Sequence, residues 1–120
     1  DWSSDVCSSD LIAAPVAVEL GLGTLMIRKA GKLPGPVIGI DYGLEYGKSR
    51  MELQPDSIEP GARVLVLDDV LATGGTVNAS AALIKRAGGK VESVCVLMEL
   101  SELDGRSTLG DLPCEALTMI

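Results

Sequence analysis

The sequence contains no histidine, and that absence removes whole classes of chemistry at once. A Ser-His-Asp triad is impossible, and so is any metal site with an imidazole ligand. Acid–base work in this chain falls to Asp, Glu, Lys or Tyr. Cysteine is scarce and odd in number: Cys7, Cys95 and Cys114 lack metal-ligand spacing, and Cys95 lies in an apolar run where it reads as a small core residue. A reducing, cytoplasmic setting is expected from that usage. Long uninterrupted hydrophobic segments are missing as well. The stretch from Leu11 to Ile27 is rich in apolar residues, but Pro15, Glu19, Gly21 and Gly23 break it and no basic segment precedes it. Neither a membrane span nor an export signal is expected.

Positive charge is also in short supply. Ten basic residues against 17 acidic ones give a formal net charge of −7, which argues against general affinity for a nucleic-acid backbone or an anionic membrane. An anionic ligand needs a local basic cluster, and one exists. Arg28, Lys29, Lys32, Lys48 and Arg50 share the window 28–50 with only Asp41 and Glu45, which leaves it at +3. On composition alone such a cluster is as readily a solvated loop as a ligand site. With 120 residues, 47% of them apolar, one packed domain is feasible.

Ser3-Ser4-Asp5 recurs as Ser8-Ser9-Asp10, and residues 1–10 show neither a helical nor a strand period, so a leader foreign to the domain is expected there, with the domain over residues 11–120. Leu11 to Leu20 reads as a helix stopped at Gly21, with Pro15 tolerable only in a first turn. Thr24 to Arg28 reads as a short buried strand. Lys29 to Gly43, punctuated by Gly31, Pro34, Gly35, Pro36 and Gly39, reads as a long mobile loop. Leu44 to Leu53 resumes a broken strand pattern, and Pro55 to Gly61 is a turn. The apolar run Val64-Leu65-Val66-Leu67 suits a parallel strand covered on both faces. Beyond Thr76 a helix is expected, with Val77, Ala81, Ile84 and Gly88 near one face, Leu83 and Ala87 beside them, and Gly88-Gly89 as its stop. Val91 to Leu100 is a second apolar run, so residues 63–100 form a strand–loop–helix–strand unit of the right-handed crossover kind. Glu115 to Ile120 adds a last strand.

The chemistry concentrates after the run Val64–Leu67. In an open parallel sheet ligands bind beyond the carboxyl ends of the strands, where the next helix presents free N–H groups and a positive dipole end. Ala72-Thr73-Gly74-Gly75-Thr76 places small residues and two hydroxyls there, so the backbone can close around a phosphate. Asp68 and Asp69 just before it would repel that phosphate. Their natural partners are hydroxyl donors or a divalent cation, and a ribose 5-phosphate meets both needs. Taken singly, an Asp-Asp or a Gly-Gly is more often just a strand end or a helix start. Gly43 to Ser49 imitates a Walker-type nucleotide loop but has three residues between its glycines where four are required. Gly21-Leu22-Gly23 has no third glycine at Met26 and is no dinucleotide fingerprint.

The ordered run VLVLDDVLATGGT, Val64 to Thr76, resembles the signature of the type I phosphoribosyltransferases. Arg28-Lys29-Ala30-Gly31-Lys32-Leu33-Pro34 and Leu44-Glu45-Tyr46-Gly47-Lys48 are similar to the segments that set the adenine phosphoribosyltransferase branch apart. The resemblance covers about residues 11–120. It implies an α/β fold with a mostly parallel twisted sheet flanked by helices, and transfer of the phosphoribosyl group from phosphoribosyl pyrophosphate to adenine, giving AMP and pyrophosphate in purine salvage. By position it implies Asp68 and Asp69 at the ribose hydroxyls, Ala72, Thr73, Gly74, Gly75 and Thr76 at the 5-phosphate, and Arg28, Lys29 and Lys32 at the pyrophosphate. Glu45 would be the catalytic residue on a loop closing over the base, with Tyr46 positioning it. Magnesium is implied as a cofactor held through the substrate, with no direct protein ligand, and a homodimer is implied as the assembly. A non-catalytic module sensing the same ligand, or an enzyme for another base such as xanthine, stay open as alternatives.

The chain departs from that pattern at its start. Aligned on Ala14-Pro15, Ser8 stands where the family carries the arginine of a small-Arg-Gly-aromatic turn. The N-terminal strand and the hood segment over the base have no counterpart, so an N-terminally truncated domain, of marginal stability and weakened activity, is expected.

Overall fold

The computed structural model describes residues 8–44 and 47–120. The first element, helix α1 (Ser8–Leu20), begins within the second Ser-Ser-Asp repeat and runs through Pro15. The helical segment is therefore longer than expected, and Pro15 sits in its interior, where its ring removes one rung of the hydrogen-bond ladder. The end at Gly21 is as anticipated: Gly21 takes φ +69°, Leu22 N–H reaches Ala17 carbonyl at 2.8 Å, and Gly21 N–H reaches Val18 carbonyl at 3.3 Å. That pairing is a Schellman stop, which needs a residue comfortable at positive φ. Ala17 is buried while Val18 and Leu20 stay exposed.

The segment expected as a strand over Thr24–Arg28 joins a sheet only at β1 (Arg28–Lys29), although Leu25 and Ile27 still pack on the core. The loop expected over Lys29–Gly43 is shorter than that: β2 (Ile38–Leu44) and β3 (Gly47–Leu53) form an antiparallel hairpin, registered from Ile38 opposite Leu53 to Leu44 opposite Gly47. The glycines had masked a period of two. Ile38, Ile40 and Tyr42 point to the core, and Gly39 and Asp41 alternate with them. β1 joins the other edge of β3, giving a three-stranded sheet in the order β1-β3-β2. The Walker-like Gly43 to Ser49 thus spans the tip of an antiparallel hairpin, with no parallel strand leading into it.

The second sheet is the expected parallel one. β4 (Arg63–Leu71), helix α2 (Gly75–Arg86), β5 (Lys90–Glu99) and β6 (Cys114–Met119) follow in order, and the strands lie β4-β5-β6, all parallel. Two short 3-10 turns, Ser101–Leu103 and Gly105–Leu109, fill the connection between β5 and β6. Gly88, at φ +96°, closes α2 with a second Schellman pair: Gly89 N–H to Ile84 carbonyl at 2.9 Å and Gly88 N–H to Lys85 carbonyl at 3.0 Å. The buried face of α2 is Val77, Ala79, Ser80, Leu83 and Ile84. Ala81 is only half-buried and Gly88 is exposed, so the expected face is rotated toward the side where β2 and β3 pack.

One apolar cluster (Met51, Leu53, Ile58, Ala79, Leu83, Ile84) lies between the hairpin and α2. The other (Leu71, Val77, Val94, Val96, Leu109) lies between α2, the parallel sheet and the second 3-10 turn. Burying a side chain the size of Leu83 contributes roughly 1.5–3 kcal/mol, so α2 is the wedge on which both halves depend. Coverage of the parallel sheet on both faces is not observed: Leu65 remains 42% exposed and Leu97 39% exposed, because among the described residues only α1 approaches β4 from outside the sheet and α2. No described helix is long and apolar enough to cross a membrane.

Candidate phosphate-binding site

β4 does not stop before its acidic pair, as the pattern suggested, but carries Asp68 and Asp69 as its own residues and ends two positions later at Leu71. Strand geometry sends their side chains to opposite faces. Asp69 N–H donates to Asp68 Oδ1 at 2.8 Å, and Val70 N–H donates to Asp69 Oδ1 at 2.9 Å. Burial pushes the Asp68 carboxyl up to about 7, with its contact to Asp69 and that residue's charge acting in the same direction. A carboxyl held that high at a strand's carboxyl end is a desolvated acceptor. It gains most from an incoming hydroxyl or cation. No cluster of three or more metal-ligating carboxylates or cysteines occurs among the described residues.

The chain then turns through Ala72 and Thr73 to Gly74, the N-cap of α2, at φ +90°. Only glycine takes this conformation readily. Space imposes the same choice, since a Cβ on Gly74 would collide with the Thr108 hydroxyl and come 2.9 Å from the Gly105 carbonyl oxygen. Gly75 N–H faces Thr73 Oγ1 at the long distance of 3.5 Å, and Asn78 N–H closes the first helical bond to Gly74 carbonyl at 2.9 Å. α2 has no side-chain cap on its first turn and no acidic residue there. Its positive end is open to an anion.

The basic cluster lies on the other sheet. Arg28 and Lys29 form β1, paired opposite Glu52 and Met51, and Lys32 follows on the loop. Glu52, almost buried, accepts Gly31 N–H at 2.9 Å and Arg50 Nε–H at 3.1 Å, pinning the turn that carries Lys29 and Lys32. Those two bonds, the Gly31 amide first, hold the Glu52 carboxyl below the usual carboxylate range. Arg50 lies flat over Gly39, where a Cβ would fall 2.5 Å from Cζ, and also reaches Asp41 at 3.4 Å. Lys29, Ala30, Asp41, Ser49 and Arg50 line a cleft of about 400 Å³. Tyr42 links the two regions, its ring lying 3.8 Å from where a Cβ on Gly75 would stand. Glu45 and Tyr46 lie outside the described residues, between Leu44 and Gly47, which pair across the hairpin.

Sequence reasoning overlooked Glu52, Asn78, Arg106 and Thr108. Glu52 sits at an alternating strand position that reads as exposed. The segment Ser101 to Pro113 shows no period that would mark these residues; Asp104 there adopts φ +48°.

Residues 11–110 match the family described as the phosphoribosyl transferase domain, and the chain belongs to that family. Within it, the chain is similar to adenine phosphoribosyltransferases. It is 51% identical over 107 residues to that of Acidiphilium cryptum, covering 89% of this chain and 62% of the relative. It is 53% identical over 121 residues to that of Gluconobacter oxydans, covering 97% and 67%. Among solved structures, the adenine phosphoribosyltransferase of Thermoanaerobacter pseudethanolicus superposes with a TM-score of 0.90 at 43% identity, over 93% of this chain and 65% of that one. That of Saccharomyces cerevisiae, complexed with an imino-altritol bisphosphate and adenine, superposes at 0.82 with 38% identity, over 87% and 58%. The chain thus spans about three fifths to two thirds of the length of these proteins. The fold is that of the type I phosphoribosyltransferases.

Proposed function

We propose that this protein transfers the phosphoribosyl group of phosphoribosyl pyrophosphate to adenine, yielding AMP and pyrophosphate. The observation that carries the proposal is the uncapped start of α2 behind a glycine at φ +90°, preceded on β4 by a half-buried carboxyl raised to about 7. The first feature suits a phosphate and the second suits sugar hydroxyls, in the order a ribose 5-phosphate presents them. Ala72 to Thr76 hold the 5-phosphate, and Asp68 and Asp69 accept the ribose hydroxyls. Arg28, Lys29 and Lys32 receive the pyrophosphate.

Departure of pyrophosphate leaves an oxocarbenium-like sugar that water would capture, so the site must close before the bond breaks. Glu45 exchanges the proton of the purine ring, and Tyr46 positions it. Basic side chains offset the charge that grows on the leaving group. The donor set fits magnesium only as an ion carried by the substrate's diphosphate and hydroxyls. There it would supply further charge neutralisation on the leaving group. A homodimer in a reducing cytoplasm completes the reading, in keeping with Cys95 and Cys114 as free thiols.

The test is to offer radiolabelled adenine, guanine, xanthine and orotate with phosphoribosyl pyrophosphate and magnesium. Labelled AMP from adenine is the expected product. Turnover of xanthine instead would overturn the base assignment, and ribose 5-phosphate binding without any turnover would make the protein a sensor.

A further inference from the structure

The connection between β5 and β6 plays no part in the chemistry above, yet it forms the outer wall of the loop Ala72–Gly74. Arg106 anchors it. Its Nη2 donates to Glu99 Oε1 at 2.6 Å, its Nε lies 3.2 Å from both Glu99 oxygens, and its Nη1 donates to Cys114 carbonyl at 2.5 Å. Glu99 is buried at the end of β5, so the ion pair ties the 3-10 turn to β5 and the bond to Cys114 carbonyl ties it to β6. From that platform Gly105 meets the loop backbone, where a Cβ would overlap the Ala72 carbonyl and come 3.0 Å from Gly74 N. Thr108 projects into the same contact. Its Oγ1 lies 2.7 Å from Gly105 carbonyl and 3.2 Å from Thr73 carbonyl, and it accepts Asn78 Nδ2–H at 3.0 Å. Asn78 Nδ2 also donates to Thr108 carbonyl at 3.2 Å.

We infer that Thr108, held by Asn78 and by the Arg106–Glu99 pair, is a positioning residue for the loop between β4 and α2, fixing the Thr73–Gly74 peptide so that its amide is presented to a phosphate. The reason is geometric. In a planar trans peptide the C=O and the following N–H point in opposite directions. Directing Thr73 carbonyl at Thr108 therefore directs Gly74 N–H away from the 101–109 segment. A loop that binds an anion through its backbone must turn its amides toward the ligand and its carbonyls away. Glycines at 74 and 75 leave this peptide free to rotate, and within the loop the contact of Gly75 N–H to Thr73 Oγ1, at 3.5 Å, does little to stop it. The constraint is supplied from outside, thirty residues along the chain from Asn78.

The inference rests on the proposed ligand, and its test separates the two. Thr108→Val, nearly isosteric, removes the hydroxyl; Thr108→Ser keeps it; Asn78→Ala removes the group that orients it. Two quantities are measured on the full chain: hydrogen exchange at the Gly74 and Gly75 amides, and calorimetric affinity for ribose 5-phosphate and for inorganic pyrophosphate. Thr108→Val is expected to speed exchange at both amides and weaken ribose 5-phosphate by about tenfold, with pyrophosphate affinity little changed and Thr108→Ser close to wild type. Asn78→Ala should move both readouts in the same direction, which keeps the test alive if Thr108→Val folds poorly. Unchanged exchange and affinity in Thr108→Val and Asn78→Ala would overturn the inference, and so would a Thr108→Ser variant as defective as Thr108→Val. If wild type fails to bind ribose 5-phosphate while Thr108→Val still loosens the two amides, the ligand assignment falls and the clamp stands.

Discussion

The two regions expected to share one ligand are built on opposite principles. The loop from Ala72 to Thr76 works through backbone, with an open helix start, a glycine at positive φ and a wall that leaves no room for a Cβ. The turn bearing Arg28, Lys29 and Lys32 works through side chains, and its shape is set by two bonds into Glu52. A backbone site is intolerant of added atoms and indifferent to most charges. A side-chain site tolerates added atoms and fails when its anchor changes charge.

The comparison is most exposed at Glu45. Glu45→Gln should cut turnover by roughly 10²–10⁴-fold, with modest change in affinity for phosphoribosyl pyrophosphate; steady-state and binding measurements together decide it, and equal loss in both would point to misfolding.

Next comes a pair of glycines. Gly105→Ala forces a methyl into the Ala72 carbonyl and should cost roughly 1–3 kcal/mol of stability together with most of the ribose 5-phosphate binding. Gly35→Ala, on the loop ahead of β2, meets no atom within 4 Å and carries only the strain of φ +73°, about 1 kcal/mol. Similar losses in both, by thermal melts and calorimetry, would erase the distinction.

Asp68→Asn should act oppositely on stability and binding. Burial raises the Asp68 carboxyl from 3.8 to about 7, so the folded state holds that proton more tightly than the unfolded chain does. Its contribution is neutral below the unfolded value of 3.8, grows unfavourable as pH rises from there toward 7, and levels off above about 7. The variant should therefore be more stable than wild type at pH 8, by roughly 1–2 kcal/mol, with no gain at pH 4, while binding ribose 5-phosphate less tightly. A melt series across pH that shows a constant difference would contradict the burial argument.

The smallest effect is expected at the anchor of the basic turn. Glu52→Gln should weaken pyrophosphate by a few-fold and leave ribose 5-phosphate unchanged. Because the Glu52 carboxyl sits below its ordinary range, the wild-type anchor holds at neutral pH and is lost only as pH falls through that depressed value. Pyrophosphate affinity that is insensitive to acid would remove Glu52 from this role.

How much of this was readable from residues alone follows the same division. Contiguous features came through: the apolar run at Val64–Leu67, the acidic pair, the glycine loop and the Gly21 and Gly88 stops each act within a few residues. The strand Ile38–Leu44 was hidden because Gly39 and Gly43 read as punctuation, although Gly39 is glycine to admit the Arg50 guanidinium from the neighbouring strand. Helix α1 starts earlier than Leu11 because Ser8 to Asp10, part of an aperiodic Ser-Ser-Asp repeat, join it, with Pro15 in its interior. Thr108, Asn78 and Glu52 act on partners 21 to 35 residues away, and no local pattern announces such pairings.

Helix α2 has one further consequence. Leu83 and Ile84 serve one apolar cluster and Val77 serves the other, so the same twelve-residue helix is common property of both. Neither sheet can detach without stripping that helix of half its cover. Fraying is then confined to the ends of the chain and the outer loops, and the amides of Leu83 and Ile84 should exchange only when the whole molecule opens. Recognition of sugar phosphate and of diphosphate would be lost together in a single cooperative event.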